Sequence, residues 1–206
     1  MNVERGVFRS SCLLLARVWL PLVFAGLAWA GEPLEQVKET TDKILSILNN
    51  PSFKGAGKSA EQKKLIWEAV DERFDWEELS RRSLGLHWAK LGTEDRKEFV
   101  TLYSALLRRT YLNRVNEYSG EKVRYERERI DGDDAVVELR IIMRTGREIP
   151  ATYRLKKNGA AWCVYDVSVE GISLVNNYRA QFNSIIARSS YRELVKLLKE
   201  RTATGD

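Results

Sequence analysis

The sequence has 206 residues, of which 44% are hydrophobic and 31% are charged, with 34 Lys and Arg set against 29 Asp and Glu. The net charge of +5 is mild, and basic residues are interleaved with acidic ones, so the chain lacks the concentrated basic patch that nucleic-acid binding requires. No segment after residue 30 approaches the roughly 20 consecutive apolar residues that cross a membrane.

Residues 1–30 have the pattern of an export signal. Three arginines precede an apolar run at 18–27, and Ala28-Trp29-Ala30 fits a small-x-small cleavage site. The run is too short for a membrane span, and no cysteine directly follows it that could carry a lipid anchor. We therefore expect an exported, soluble protein whose mature chain, residues 31–206, forms a single domain.

Cys163 is the one cysteine of the mature chain, so no internal disulfide can form. It alternates with Trp162 in a strand-like segment, which predicts a small buried side chain rather than a reactive thiol. Stability must then come from packing.

Three amphipathic helices are predicted at the start of the mature chain. The first covers 33–48 and is stopped by the Asn-Asn-Pro sequence that follows it. Ser59 is expected to cap the second helix, with Gln62 completing a capping box. Asp75 is expected to cap a third, short helix that Gly85 closes.

The longest helix is predicted to begin at Thr93, because acidic residues fill its first turn, where the helix macrodipole favours negative charge. Apolar residues cover well over half of its circumference, so we expect a central, buried helix. Its helical pattern of apolar residues ends near 118–120, where apolar and polar residues begin to alternate.

A hydrophobic period of two then predicts an antiparallel meander of four strands. The strands are expected to be separated by turns at 131–134, 145–146 and 158–159. Pro150 suggests an edge strand or a bulge. The fourth strand is predicted to alternate strictly from 162 to 169.

Between Trp162 and Phe182 the hydrophobic period changes from two to about 3.6, so a strand leads into a helix through a turn at Gly171. A final helix is expected after Ser190, with Glu193 completing its capping box. Helices segregated from one antiparallel sheet predict an α+β fold, with the sheet curled around helices on one face.

The sequence lacks most motifs that indicate catalytic, metal-binding or cofactor-binding sites. His87 is the single histidine, so neither a two-histidine metal site nor a zinc-binding helix motif exists. The nucleophile elbow, the phosphate loop and the dinucleotide-binding glycines are also absent. We therefore expect no enzyme, no metal and no cofactor. One enzymatic alternative stays open, a nuclear-transport-factor-like enzyme with His87 and Asp75 as a polar pair inside its pocket.

Large aromatic side chains are instead abundant, on helices and strands that are expected to face one another. For any one of them a place in the core is the simpler interpretation. Together, on a curled sheet and its covering helices, such rigid side chains can wall a cavity, which is the usual form of an apolar ligand site.

The chain contains several long motifs: FDWEELSRRSLG at 74–85, LLRRTY at 106–111, IPATYRL at 149–155, WCVYDV at 162–167, EGISL at 170–174 and NYRAQF at 177–182. In this order they resemble the MlaC family of phospholipid carriers, also known as toluene-tolerance proteins. The resemblance covers almost all of the mature chain.

This resemblance implies a periplasmic carrier that shuttles glycerophospholipid between an outer-membrane lipoprotein complex and an inner-membrane ABC transporter complex, for outer-membrane lipid asymmetry. It also implies a nuclear-transport-factor-like half-barrel with extra N- and C-terminal helices, a monomer, and no catalytic residues. The alternative is a periplasmic binding protein for another apolar molecule, such as a polyprenyl or sterol-like compound, which would need similar walls.

The candidate site is selected by the expected facing and size of side chains. Trp76 and Trp88 are placed near a flexible flap. The side chains predicted to line the lipid-tail space are Leu102, Leu106, Tyr111, Val137, Leu139, Ile141, Tyr153, Val164, Val167, Tyr178 and Phe182.

Overall fold

The computed structural model describes residues 32–53 and 58–203. Within them are six α-helices: α1 (Pro33–Asn49), α2 (Ser59–Asp71), α3 (Trp76–Leu84), α4 (Thr93–Leu112), α5 (Leu174–Arg188) and α6 (Tyr191–Ala203). The strands are β1 (Lys122–Asp131), β2 (Asp134–Ile142), β3 (Glu148–Asn158), β4 (Ala161–Val169) and β5 (Ile172–Ser173). No helix in these ranges is long and apolar enough to cross a membrane. The predicted export signal lies outside the described residues.

Capping residues set the limits of the first three helices. Pro33 lies in the first turn of α1, where its missing N–H is not needed. The carboxylate of Asp75 accepts a 2.8 Å hydrogen bond from the N–H of Glu78, which confirms it as the cap of α3. The predicted capping box of α2 is wrong, because Ser59 is already helical and Lys58 before it supplies no side-chain cap.

Helix α4 is the centre of the helical layer, as predicted. Phe99 and Tyr103 on this helix are fully buried. The ring of Phe182 on α5 stands edge-on to both, with centroids 5.5 and 5.0 Å away. The helix is shorter than predicted, because α-helical hydrogen bonding stops at Leu112 and the chain continues as the 3₁₀ segment Asn113–Glu117.

The sheet has five antiparallel strands in the order β1-β2-β3-β4-β5, so the predicted count of four is wrong. The additional strand, β5, pairs with β4 through Val169 and Ile172. Between them, Glu170 and Gly171 have φ values of +50° and +81°. Positive φ at both central residues is the geometry of a tight type I′ hairpin, so the turn at Gly171 forms a hairpin before α5 begins.

Pro150 does not mark an edge, because β3 lies between β2 and β4. Its carbonyl accepts a 2.9 Å hydrogen bond from the N–H of Glu170, which lies beyond the end of β4. The proline nitrogen points to the same side as this carbonyl, toward β4. It lies just beyond Ala151–Val169, the last residue pair between β3 and β4. No ladder hydrogen bond to β2 is therefore lost.

A bulge in β4 interrupts the predicted strict alternation. Leu155 pairs with Val164, but the preceding residue Arg154 pairs with Asp166, so Tyr165 is an extra residue in the strand. An extra residue reverses the face of everything after it. Val164 and Val167 consequently both face the helices, although strict alternation would separate them.

Two hydrophobic clusters meet at Phe74. One lies among the helices, and the other joins the inner face of the sheet to Val37 of α1. Phe74 packs against both clusters. The residues on either side of it form backbone hydrogen bonds with β4. The N–H of Asp75 donates to the Val164 carbonyl at 2.9 Å, and the N–H of Val164 donates to the Arg73 carbonyl at 2.8 Å. Phe74 thus joins the helical layer to the sheet, and α1 and α5 also contact the sheet.

Candidate functional site

A cavity of about 560 Å³ lies between the helices and the inner face of the sheet. Small-molecule sites in proteins typically have volumes of about 300–1,000 Å³. Its lining residues come from helices α2 to α5, the middle of β3, the end of β4, the hairpin turn and β5. They are Trp67, Val70, Phe74, Trp76, Leu107, Thr110, Tyr111, Tyr153, Val167, Val169, Glu170, Ile172, Ser173, Leu174 and Asn177.

An aromatic stack forms one wall of this cavity. The ring of Trp76 lies between those of Trp67 and Phe74, with centroid distances of 5.2 and 5.1 Å. The indole N–H of Trp76 donates to the Asp71 carboxylate at 2.9 Å, which fixes its orientation. The cap at Asp75 starts α3 at Trp76, so the sequence positions this ring directly after Phe74. The wall is rigid and apolar.

The cavity opens between α4 and the β4–β5 hairpin. The lining residues Tyr111, Val169 and Ile172 are 47%, 40% and 69% exposed, whereas Trp67 and Leu107 at the other end are buried. We call the region around these three exposed residues the mouth. The three side chains are apolar or aromatic, and they border the opening.

Charged groups stand around the mouth. The Glu170 carboxylate lines the cavity and forms an ion pair with the Arg147 guanidinium, which ties the β4–β5 hairpin to the β2–β3 turn. Elsewhere on α4, the guanidinium of Arg108 lies 5.8 Å from the ring centroid of Trp67, which is at the buried end of the cavity and not at the mouth. Among the residues that line the cavity, Glu170 is the charged one, and it lies beside the mouth.

The base of the hairpin is held by Asp166. This carboxylate is only 4% exposed, and it accepts hydrogen bonds from the hydroxyl of Ser173 at 2.7 Å and the N–H of Val175 at 3.0 Å. It therefore fixes the start of α5 beside the mouth. Sequence reasoning missed this role, although an aspartate inside an apolar strand was the available signal.

Tyr153 adds a polar group to the inner part of the cavity. Burial raises the pKa of its hydroxyl to about 12, because a phenolate would be poorly solvated there. The hydroxyl therefore stays protonated, and it can donate a hydrogen bond, at any pH near neutrality.

Four of the predicted site residues line the cavity: Trp76, Tyr111, Tyr153 and Val167. The other nine lie in the two hydrophobic clusters. Trp88, Leu102, Leu106, Tyr178 and Phe182 pack among the helices, and Val137, Leu139, Ile141 and Val164 pack on the sheet. Several wall residues were not predicted, and of these Leu107 had a usable signal, since it lies one helical turn before Tyr111.

The polar pair of the enzymatic alternative is not inside the cavity. His87 Nε2 lies 3.0 Å from Asn183 Oδ1, and Asp75 caps α3. Cys163 is half-buried rather than fully buried, and burial raises the pKa of its thiol. Residues 32–53 and 58–203 contain no cluster of three or more potential metal ligands.

The known proteins to which this chain is similar are described as phospholipid-binding or phospholipid transport proteins. A solved structure of the phospholipid-binding protein from Ralstonia solanacearum, in complex with a phospholipid, is similar to this chain with a TM-score of 0.74 and 26% identity, over 84% of this chain and 98% of that one. The intermembrane phospholipid transport system binding protein MlaC of Haemophilus influenzae is 21% identical over 122 residues. This match spans 57% of the length of each protein.

The sequence profile of the family described as MlaC protein matches residues 38–200. This range includes every residue that lines the cavity and all elements except the first turn of α1 and the end of α6. The chain therefore belongs to the MlaC family.

Proposed function

We propose that this protein is a soluble periplasmic phospholipid carrier that holds acyl tails in the cavity and leaves the headgroup at the mouth. The observation that carries the proposal is a cavity of about 560 Å³ with a largely apolar, aromatic wall and the Glu170–Arg147 ion pair at its opening. Membership of the MlaC family and the likeness to a structure in complex with a phospholipid support it.

Enclosure of the tails is required on energetic grounds. A diacyl lipid has roughly 30 methylene groups, and at about 0.8 kcal/mol each their exposure to water would cost on the order of 24 kcal/mol. A shallow surface groove cannot offset that cost. The phosphate, by contrast, would be expensive to bury and is best left in water outside the mouth.

The cavity lies between the helices and the sheet, whose two hydrophobic clusters meet at Phe74, so bound acyl tails would lie between these two layers. We also propose the half-barrel curl that the family resemblance implies, because a curled sheet would wrap around the acyl tails.

Removing a lipid from a bilayer needs work. A carrier without an energy source can shift the lipid out of the membrane only by as much as it binds the lipid more favourably than the membrane does. We therefore propose that the chain, once exported, shuttles between an outer-membrane lipoprotein complex and an inner-membrane ABC transporter complex. The Haemophilus influenzae relative, named as the binding protein of an intermembrane phospholipid transport system, supports this assignment.

Native mass spectrometry of freshly purified protein, followed by analysis of a solvent extract, tests the proposal. We expect a bound mass equal to one glycerophospholipid. A polyprenyl or sterol-like mass would instead favour the other apolar-ligand carrier, and protein with no bound mass that also fails to take up lipid from vesicles would reject both.

A further inference from the structure

Tyr153 places an unpaired hydroxyl in the wall of the cavity, between two apolar neighbours on the sheet. The residue lies in the middle of β3, between Val137 on β2 and Val167 on β4. Two other hydroxyls that line the cavity are engaged, since Thr110 donates to the Leu106 carbonyl and Ser173 to the Asp166 carboxylate. For Tyr153, no hydrogen-bond partner occurs among the described residues, and its hydroxyl is still accessible from the cavity, so only a bound ligand would remove it from water.

An unpaired hydroxyl against hydrocarbon is unfavourable. Protein interiors avoid this arrangement, because the group has lost its bonds to water and has gained none in return. A tail made only of methylenes would leave the Tyr153 hydroxyl in that condition. A ligand with an acceptor at this point would remove the penalty.

The position of Tyr153 identifies that acceptor. Val169 lies at the exposed mouth, paired with Ala151, and Tyr153 pairs with Val167 two residues further in. Two residues of a strand span about 7 Å. In a glycerophospholipid, the acyl ester carbonyls come directly after the phosphate along the molecule, so a phosphate held at the mouth brings them to this depth. An ester carbonyl accepts a hydrogen bond and has none to donate, which complements a protonated phenol.

Building on the proposed carriage of phospholipid, we propose that Tyr153 determines specificity by donating a hydrogen bond to an ester carbonyl of the bound lipid, so that ester-linked lipids are selected over ether-linked ones. A site built to donate a hydrogen bond rejects an analogue that lacks the acceptor, because its own polar group is then left unpaired. The selection acts on the linkage, whatever headgroup is bound.

Competition between two matched lipids tests this role. Delipidated mature protein is incubated with vesicles that contain equal amounts of a diacyl phosphatidylethanolamine and its dialkyl ether analogue with the same chain lengths, and the bound ratio is read by native mass spectrometry. For the wild type we expect about five to ten times more ester than ether lipid. Tyr153→Phe should bring the ratio close to one while still binding lipid.

Tyr125→Phe is the matched control. Tyr125 is also an inward-facing tyrosine of the sheet, but it packs against the sheet cluster and lies outside the cavity. This variant should keep the wild-type ratio. If Tyr153→Phe does not fold, infrared spectroscopy of lipid with ¹³C-labelled esters replaces it, because a hydrogen-bonded carbonyl absorbs at lower wavenumber in the wild-type complex than in an aprotic solvent.

Each result has one meaning. A wild-type ratio near one, an unchanged ratio in Tyr153→Phe, or an unshifted carbonyl band would overturn the role of Tyr153 and leave phospholipid carriage intact. If the wild type binds neither lipid, the proposed function fails first, and this inference falls with it.

Discussion

The Asp166 carboxylate on β4 accepts a 2.7 Å hydrogen bond from the hydroxyl of Ser173, at the point where β5 passes into α5. Its second oxygen accepts from the N–H of Val175. One buried side chain thus connects both sides of the hairpin that borders the mouth, and it does so without lining the cavity itself.

Removing this carboxylate should destabilise the fold. Asp166→Ala leaves a buried N–H and a partly buried hydroxyl without their acceptor, so we expect the free energy of unfolding to fall by about 2–3 kcal/mol, as measured by urea denaturation. Asp131→Ala, at an exposed strand end, should change it by less than about 0.5 kcal/mol. Equal effects of the two substitutions would contradict the role given to Asp166.

A charge on the cavity wall should prevent lipid binding without unfolding the protein. Val167→Arg places an unpaired guanidinium where tails would lie, at a side chain that borders the cavity and is not fully buried. We expect no bound lipid in native mass spectra, with little change in circular dichroism. Thr152→Arg is the control, because Thr152 pairs with Glu138 in the β2–β3 register, next to Tyr153 but on the opposite face of β3. Normal lipid content in folded Val167→Arg would place the tails elsewhere.

Residues of the core and residues of a cavity wall show the same sequence pattern, namely apolar side chains at inward-facing positions. Val137, Leu139 and Val167 were all predicted to face inward, but Val137 and Leu139 are 0% and 3% exposed and pack with Val37 of α1. Whether a distant helix covers an inward side chain depends on long-range docking, which no local period reports. A charge at Val137 or Leu139 would therefore test the stability of the sheet rather than the cavity.

The order of helices and strands was predictable because local signals set it. The cap at Asp75 is one example. The bulge at Tyr165 was not predictable in the same way, since an extra residue in a strand is fixed by the register with the neighbouring strand. The fifth strand was missed for a related reason, because two residues are too few to show a period.

The ion pairs of Glu78 should make stability depend on pH. Hydrogen bonds and charge from Arg81 and Arg82 lower the pKa of this carboxyl from 4.5 to about 2. Since the folded pKa lies below the unfolded value, the stabilisation is complete above pH 4.5 and is lost as the pH falls toward 2. Because Arg81 is half-exposed, we expect Glu78→Gln to lower the free energy of unfolding by only about 1–2 kcal/mol at pH 7.

Urea denaturation at a series of pH values measures this difference. The gap between the wild type and Glu78→Gln should close between pH 4.5 and 2. The exposed neighbour Glu77 provides the control, and Glu77→Gln should change stability by less than about 0.5 kcal/mol at pH 7. A gap for Glu78→Gln that persists at pH 2 would show that packing, and not charge, is responsible.

Delipidation should lower the melting temperature. An empty cavity deprives its lining of packing contacts, and a ligand that binds only the folded state at about 100 times its Kd adds roughly 2.7 kcal/mol of stability. For a protein of this size, roughly 2–4 °C accompany each kcal/mol, so extraction of lipid should lower the Tm by about 5–10 °C, and added phospholipid should restore it. Val167→Arg, which should hold no lipid, provides the reference, since its Tm should be the same before and after extraction. A wild-type Tm that does not respond to extraction would mean that the cavity is already stable when empty, and that lipid does not hold the helices and the sheet together.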